Sequence, residues 1–70
     1  MERETVQILE NIRQHRLKKK ISVLGLANEV GISHSHLYDI ESKRVIPSID
    51  VLVKIAKALN TPLRDFIDPF

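Results

Sequence analysis

Leu26-Ala27-Asn28-Glu29-Val30-Gly31-Ile32-Ser33, residues 26–33, is the stretch that decides how this chain folds. Leu26, Ala27 and Val30 recur at helical spacing, and Gly31 follows them directly. Glycine enters positive φ without a Cβ clash, so it is a natural end for a short helix. Ser33 then stands where a new helix needs its N-cap; in that helix Leu37 and Ile40 face inward, while His34, Ser35, Tyr38 and Asp39 occupy other faces. Upstream, Ser22 reads as the N-cap of the helix that Gly31 closes. The pattern is two short helices joined by about three residues around a glycine.

Working outward, the flanks are helical too. A first helix is expected over about residues 3–19, with Val6, Leu9 and Ile12 as an inward stripe, Ile8 beside them, and basic residues at the C-terminal end where the dipole favours cations. Residues 43–47 read as a loop. Ser48 caps a fourth helix reaching Leu59, with Ile49, Leu52, Val53, Ile55, Ala56 and Leu59 apolar and Asp50 in its first turn. Thr61 as cap and Pro62 at the first helical position open a fifth helix ending near Ile67. No alternation of apolar and polar residues runs between turn clusters, so the expected fold is all-α: five short helices in a single domain spanning 1–70.

Composition narrows the function. Seventy residues with 43% hydrophobic content make a globular chain small enough to depend on a well-made core. Cysteine is absent, which excludes disulfides and thiolate ligands and suits a reducing compartment. No apolar run is long enough for a membrane span, and the charged start Met1-Glu2-Arg3-Glu4 is unlike a signal peptide, so the expected location is the cytoplasm, with no membrane partner. The net charge is only +2, yet residues 13–44 carry seven bases against three acids. Residues 1–12 carry three acids against one base and residues 45–70 balance at three each, so the middle segment holds all of the positive excess.

A helix-turn-helix unit needs a small residue where its helices touch, a turn residue tolerant of positive φ, and apolar residues that pin both helices to the body. Ala27 and Gly31 supply the first two, and Leu26, Val30, Ile32, Leu37 and Ile40 the third, placing the unit at about residues 23–42. With Ile12-Arg13 and Arg16 ahead of it, Ile21-Ser22 at its opening, Ile40-Glu41 at its close and Pro47-Ser48-Ile49 with Leu52 and Ala58-Leu59 behind, the chain resembles the Cro and phage-repressor type (Xre-like) helix-turn-helix family. The resemblance covers about residues 12–66 and implies a five-helix, lambda-repressor-like DNA-binding domain with the helix-turn-helix as helices two and three.

The same resemblance implies that the third helix enters the major groove while the second crosses the DNA backbone. Carried onto this chain, it gives His34, Ser35 and Asp39 the base-reading positions. His36 and Tyr38 fall at the rim, Lys43 and Arg44 reach the backbone, and Ser22 and Val23 lie at the helix N-terminus beside it. Val23 stands where the family usually has Gln, which removes a side-chain hydrogen bond to phosphate and leaves backbone amides. Gly25 replaces a customary helix former, Lys43 a common cap glycine, and His15 an apolar residue. Glu41 with Arg16 reads as an internal ion pair between helices one and three, as in the family.

Other readings compete with these. His34 and His36, two apart, point roughly 200° from each other on a helix, so one metal ion cannot take both, and no metal or cofactor is expected. Asp39 fits either acceptance from a cytosine amino group or exclusion of wrong sequences. Lys18-Lys19-Lys20 fits a nucleic-acid patch or a solvated helix end. No nucleophile is paired with a base and the chain is too short to enclose a pocket, so no enzyme is expected.

Phe66, Ile67 and Phe70 concentrate apolar surface in the tail, residues 62–70, where a symmetric dimer can bury it; the alternative is that Phe66 packs back into its own core, which is compatible with Phe70 pairing across an interface. The expected function is therefore that of a sequence-specific transcriptional regulator, a repressor binding a palindromic operator in double-stranded DNA as a homodimer, with room for a regulatory protein partner. The competing class is a protein-binding module of the same fold, an antitoxin or a bridging coactivator.

Overall fold

The computed structural model describes residues 1–67; Asp68, Pro69 and Phe70 lie outside the described residues. Its helices are α1 (Arg3–Lys18), α2 (Val23–Val30), α3 (His34–Glu41), α4 (Ile49–Ala58) and α5 (Arg64–Ile67). Each of the middle three starts on a serine whose hydroxyl accepts a first-turn amide: Ser22 from Gly25 at 2.9 Å, Ser33 from His36 at 3.0 Å and Ser48 from Val51 at 3.1 Å. Such a bond satisfies a donor that the helix itself leaves open and contributes about 1 kcal/mol.

Four helices also end alike. Lys20, Gly31, Lys43 and Asn60 adopt left-handed backbone with φ of 57°, 86°, 65° and 51°. The amide after each reaches back five residues, Ile21 to Arg16 at 3.3 Å, Ile32 to Ala27 at 3.1 Å, Arg44 to Asp39 at 2.9 Å and Thr61 to Ala56 at 3.0 Å. These bonds satisfy carbonyls that would otherwise be left open at the helix ends. For the two lysines that gain offsets a left-handed backbone that disfavours an L side chain by about 1–2 kcal/mol.

The core is built from one face of every helix: Leu9 and Ile12 of α1, Leu26, Ala27 and Val30 of α2, Leu37 and Ile40 of α3, Leu52, Ile55 and Ala56 of α4, and Phe66 of α5. Ala27 is fully buried, which lets α2 and α3 approach closely at the turn. Two expectations, for Val6 and for the opening of α5, are corrected. Val6 is exposed, because the inward stripe of α1 runs through Leu9, Ile12 and Arg16, with Thr5 half-buried a turn before, and at about 100° per residue Val6 falls on its flank. Ile49 is 74% exposed, since it opens α4 and its side chain leans back past the helix start instead of onto the core. Thr61 does not cap α5: its hydroxyl donates to the Leu59 carbonyl at 3.0 Å, and Pro62 precedes the helix, its carbonyl accepting from Asp65 at 2.9 Å.

Two long-range arrangements lock α1 to the rest. Phe66 is 0% exposed; its ring meets the His15 imidazole edge-on at 5.0 Å, and its carbonyl accepts from Asn11 Nδ2 at 2.7 Å. Phe66 is therefore a core residue of its own chain and offers no side chain to a dimer face. Arg16, 8% exposed, grips Glu41, 6% exposed, with Nε to Oε2 at 2.7 Å and Nη2 to Oε1 at 2.9 Å. Its remaining terminal nitrogen, Nη1, donates to the Ile21 carbonyl at 2.8 Å.

Two substitutions test these joints. A Cβ on Gly31 would meet nothing within 4 Å, so Gly31→Ala carries only the backbone cost. Urea unfolding is expected to show a loss of about 1–2 kcal/mol for Gly31→Ala and less for Gly31→Asn. Glu41→Ala strands the Arg16 charge in the core, and a loss of about 3–5 kcal/mol is expected.

Candidate nucleic-acid interface

The third helix presents its functional face because of how it is anchored. Leu37, Ile40 and Glu41 are buried, and at about 100° per residue they define one side of α3. Ser35 and Asp39, one turn apart, fall opposite that side. Tyr38 lies on one flank with His34 a turn before it, and His36 lies on the other flank. His34, Ser35, His36 and Tyr38 are exposed and Asp39 half-buried. Ser35 and Asp39 are thus brought together, as are His34 and Tyr38, whereas His34 and His36 are separated. Among the described residues no group of three or more His, Cys, Asp or Glu side chains is arranged to hold a metal.

The N-terminus of α2 contributes backbone more than side chains. The Ser22 hydroxyl is occupied by the Gly25 amide. The amides of Val23 and Leu24 precede the first intrahelical bond and remain open, while the Val23 side chain packs against the core. A Cβ on Gly25 would sit 3.1 Å from Ser22 Oγ, a tight approach that the cap hydroxyl would have to ease by a few tenths of an ångström, and at an ordinary contact distance of 3.5 Å from Ile21 Cγ2.

The two loop cations differ. Lys43 turns its ammonium back onto Glu10 of α1, a carboxylate that also accepts from Gln14 Nε2 at 2.7 Å and Arg13 Nη1 at 3.5 Å. The Lys43 hydrogen bond, followed by that from Gln14, holds the Glu10 carboxyl below the usual carboxylate range. Arg44 projects outward instead; its guanidinium lies 5.9 Å from the centre of the Tyr38 ring, and Nη1 is 3.8 Å from Asp39 Oδ1. Lys18, Lys19 and Lys20 are all exposed at the end of α1.

Of the tail residues, Phe66 is internal, Ile67 is exposed, and Phe70 lies outside the described residues. The residues that sequence reasoning missed are Glu10, which claims Lys43, and the exposed Ile46 and Ile49 beside the α3–α4 loop. Proline after Ile46 and a serine cap before Ile49 were signals that both lie at an exposed boundary. A shallow groove of about 430 Å³ between α2 and α4, lined by Glu29, Val30, Lys54, Lys57 and Ala58, has neither histidine nor hydroxyl in its wall.

A capped, solvent-facing second helix packed on the first through a buried alanine and a left-handed glycine is the form of a DNA-recognising helix-turn-helix. The family model described as Helix-turn-helix matches residues 12–66, and the chain belongs to this family, of Xre/Cro type. Among solved structures, it is similar to the restriction-modification controller protein C.AhdI from Aeromonas hydrophila, with a TM-score of 0.84 and 26% identity over 89% of this chain and 94% of that one. It is also similar to the hypothetical transcription factor NHTF from Neisseria, with a TM-score of 0.83 and 25% identity over 91% and 73% of the two chains. A third likeness is to the SinR protein/SinI protein complex, with a TM-score of 0.80 and 32% identity over 89% of this chain and 61% of that one. No curated protein sequence matches. The chain is a DNA-binding transcription regulator of the helix-turn-helix class.

The Glu10–Lys43 contact ties the interface loop to α1, and its pH dependence follows from the depressed carboxyl. A carboxylate that holds its proton less tightly when folded contributes stability in full above its unfolded value and loses it as pH falls through the folded one. The stability difference between the wild type and Glu10→Gln is therefore expected to be constant around neutrality and to shrink in the acid range. Thermal melts at stepped pH read this directly, and a difference that grows on acidification contradicts it.

Proposed function

We propose that the chain is a repressor that binds a palindromic operator as a homodimer in the cytoplasm, acting by occupancy of the site and without catalysis. The observation that carries this reading is the anchoring of α3: Leu37, Ile40 and the Arg16–Glu41 pair bury one side of it and leave Ser35 and Asp39 facing outward. Base edges fall to His34 and Ser35 at the helix start and to Asp39 one turn on. His36, Tyr38 and Arg44 flank that face and contact sugar or phosphate, and the open amides of Val23 and Leu24, next to Ser22, meet a backbone phosphate. Lys43 adds its charge more weakly, because Glu10 offsets it.

Dimerisation would place two recognition helices about 34 Å apart, one helical turn of DNA. With Phe66 internal, the tail's contribution rests on Ile67 and Phe70. A second reading, a protein-binding module of the same fold, is supported by exposed Ile46 (63%) and Ile49 (74%) and by the SinR protein having been solved in complex with another protein.

Fluorescence anisotropy on a random-sequence duplex separates the two readings: DNA affinity is expected to fall steeply between ~50 and ~200 mM salt, and no binding, or binding indifferent to salt, removes the DNA reading. On duplexes recovered from a random pool, His34→Ala and Ser35→Ala are expected to relax base preference at their positions by about 1–3 kcal/mol, whereas Arg44→Ala weakens all sequences alike. Sedimentation tests the dimer: Ile67→Glu and Phe70→Glu are expected to lower the mass from two chains to one, and an unchanged dimer takes the tail out of the interface.

A further inference from the structure

The α3–α4 loop and the outward face of α3 carry few charges, and they are not independent. The recognition helix has two acids, Asp39 and Glu41, and Glu41 is buried on Arg16, so Asp39 is the one acid α3 shows to solvent. The loop has two bases, Lys43 and Arg44, and Lys43 is held by Glu10. What remains is one acid and one base, and they face each other with Arg44 Nη1 3.8 Å from Asp39 Oδ1.

The backbone sets up this meeting. The Asp39 carbonyl accepts the amides of Arg44 at 2.9 Å and Val45 at 3.4 Å, so the closure that ends α3 delivers Arg44 to Asp39 regardless of side-chain choice. The Arg44 guanidinium also lies over the Tyr38 ring, 5.9 Å from its centre. The carboxylate and the guanidinium are close enough to offset each other's charge but are not hydrogen-bonded, and both reach solvent, the Asp39 side chain being 39% and that of Arg44 68% exposed. Pairs of this kind are weak, which suits a contact meant to exchange.

We propose that Asp39 is a specificity-determining residue acting through Arg44: off the operator it offsets the one loop cation not otherwise engaged, and at the operator it transfers to a base-edge donor such as a cytosine amino group, freeing Arg44 for phosphate. Base reading and phosphate grip are then coupled. A duplex without the right donor leaves Arg44 occupied by Asp39 and meets a carboxylate facing its own negative charge. A duplex with it gains the base contact and the phosphate contact together. This rests on the proposed DNA interface and assigns the discrimination within it.

The test is a double-mutant cycle on two probes, a random-sequence duplex and a duplex recovered by selection, in anisotropy at ~50 and ~200 mM salt. Asp39→Asn is expected to raise affinity for the random duplex about two- to five-fold in the wild-type background and by clearly less with Arg44→Ala in place. On the selected duplex it is expected to gain nothing or lose, so the ratio of specific to random binding narrows. Asp39→Glu, which keeps the charge, is expected to hold random-duplex binding near the wild-type level. An equal gain in both Arg44 backgrounds means a general charge effect and overturns the proposal, as does an Asp39→Asn variant with an undiminished ratio. Circular dichroism confirms that each variant is folded. Loss of all DNA binding by the wild-type chain would instead remove the interface itself, a different result from uncoupled mutants that still bind.

Discussion

The bidentate contact between Arg16 and Glu41 is the constraint on which the interface depends. It joins the end of α1 to the end of α3, and through Nη1 it also holds the Ile21 carbonyl in the turn before α2. Two charges taken out of water are costly, and a buried pair is tolerated only when its geometry is good and its remaining hydrogen-bonding groups find partners. Here the carboxylate oxygens face two guanidinium nitrogens and the third nitrogen has a carbonyl, so among the described residues no buried side-chain nitrogen or oxygen lacks a partner. Apolar contacts of Leu37 and Ile40 set how deeply α3 sits. The directional ion pair, at the far end of the helix from its Ser33 cap, sets how it is rotated, and rotation decides which side chains face outward.

The same economy of local devices shapes the connections. Three serine caps and four left-handed closures give the helix junctions defined geometry with connections of only a few residues, so the chain turns sharply and still satisfies its backbone. At the end of α3 the closure also has a functional result, because it fixes where Lys43 and Arg44 leave the backbone. Lys43 is sent toward α1 and Arg44 toward the outward face. A modest net charge of +2 is thereby partitioned: some cations are neutralised by acids of the same molecule, and a small set is left where an anionic partner can meet them.

The interface is consequently a surface of few charges with polar side chains between them. Phosphate contacts give affinity and salt dependence but carry no sequence information, whereas side chains at base edges carry it, the role proposed for His34, Ser35 and Asp39. Ile46 and Ile49 beside the loop and Ile67 at the end of α5 are exposed apolar residues outside α3.

The helix-turn-helix was legible in the sequence because its signals are local. Glycine at position 31, serines at 22, 33 and 48 and the helical spacing of Leu26, Ala27, Val30, Leu37 and Ile40 each act within a turn or two of chain. The Arg16–Glu41 pair was legible through the family's pattern. The left-handed lysines were not, since lysine carries no such preference and the closure is decided by packing on either side. Nor was the partner of Lys43: Glu10 lies 33 residues away, and no periodicity links them. The surroundings of Phe66 were left open for a similar reason, as hydrophobicity says that a side chain favours burial but not whether the fold's own core or another chain has room for it. The sequence by itself determined which segments are helical and which residues share a face of α3; only the tertiary structure decided how α3 is rotated and which of its charges remain free, because that depends on groups brought together from distant parts of the chain.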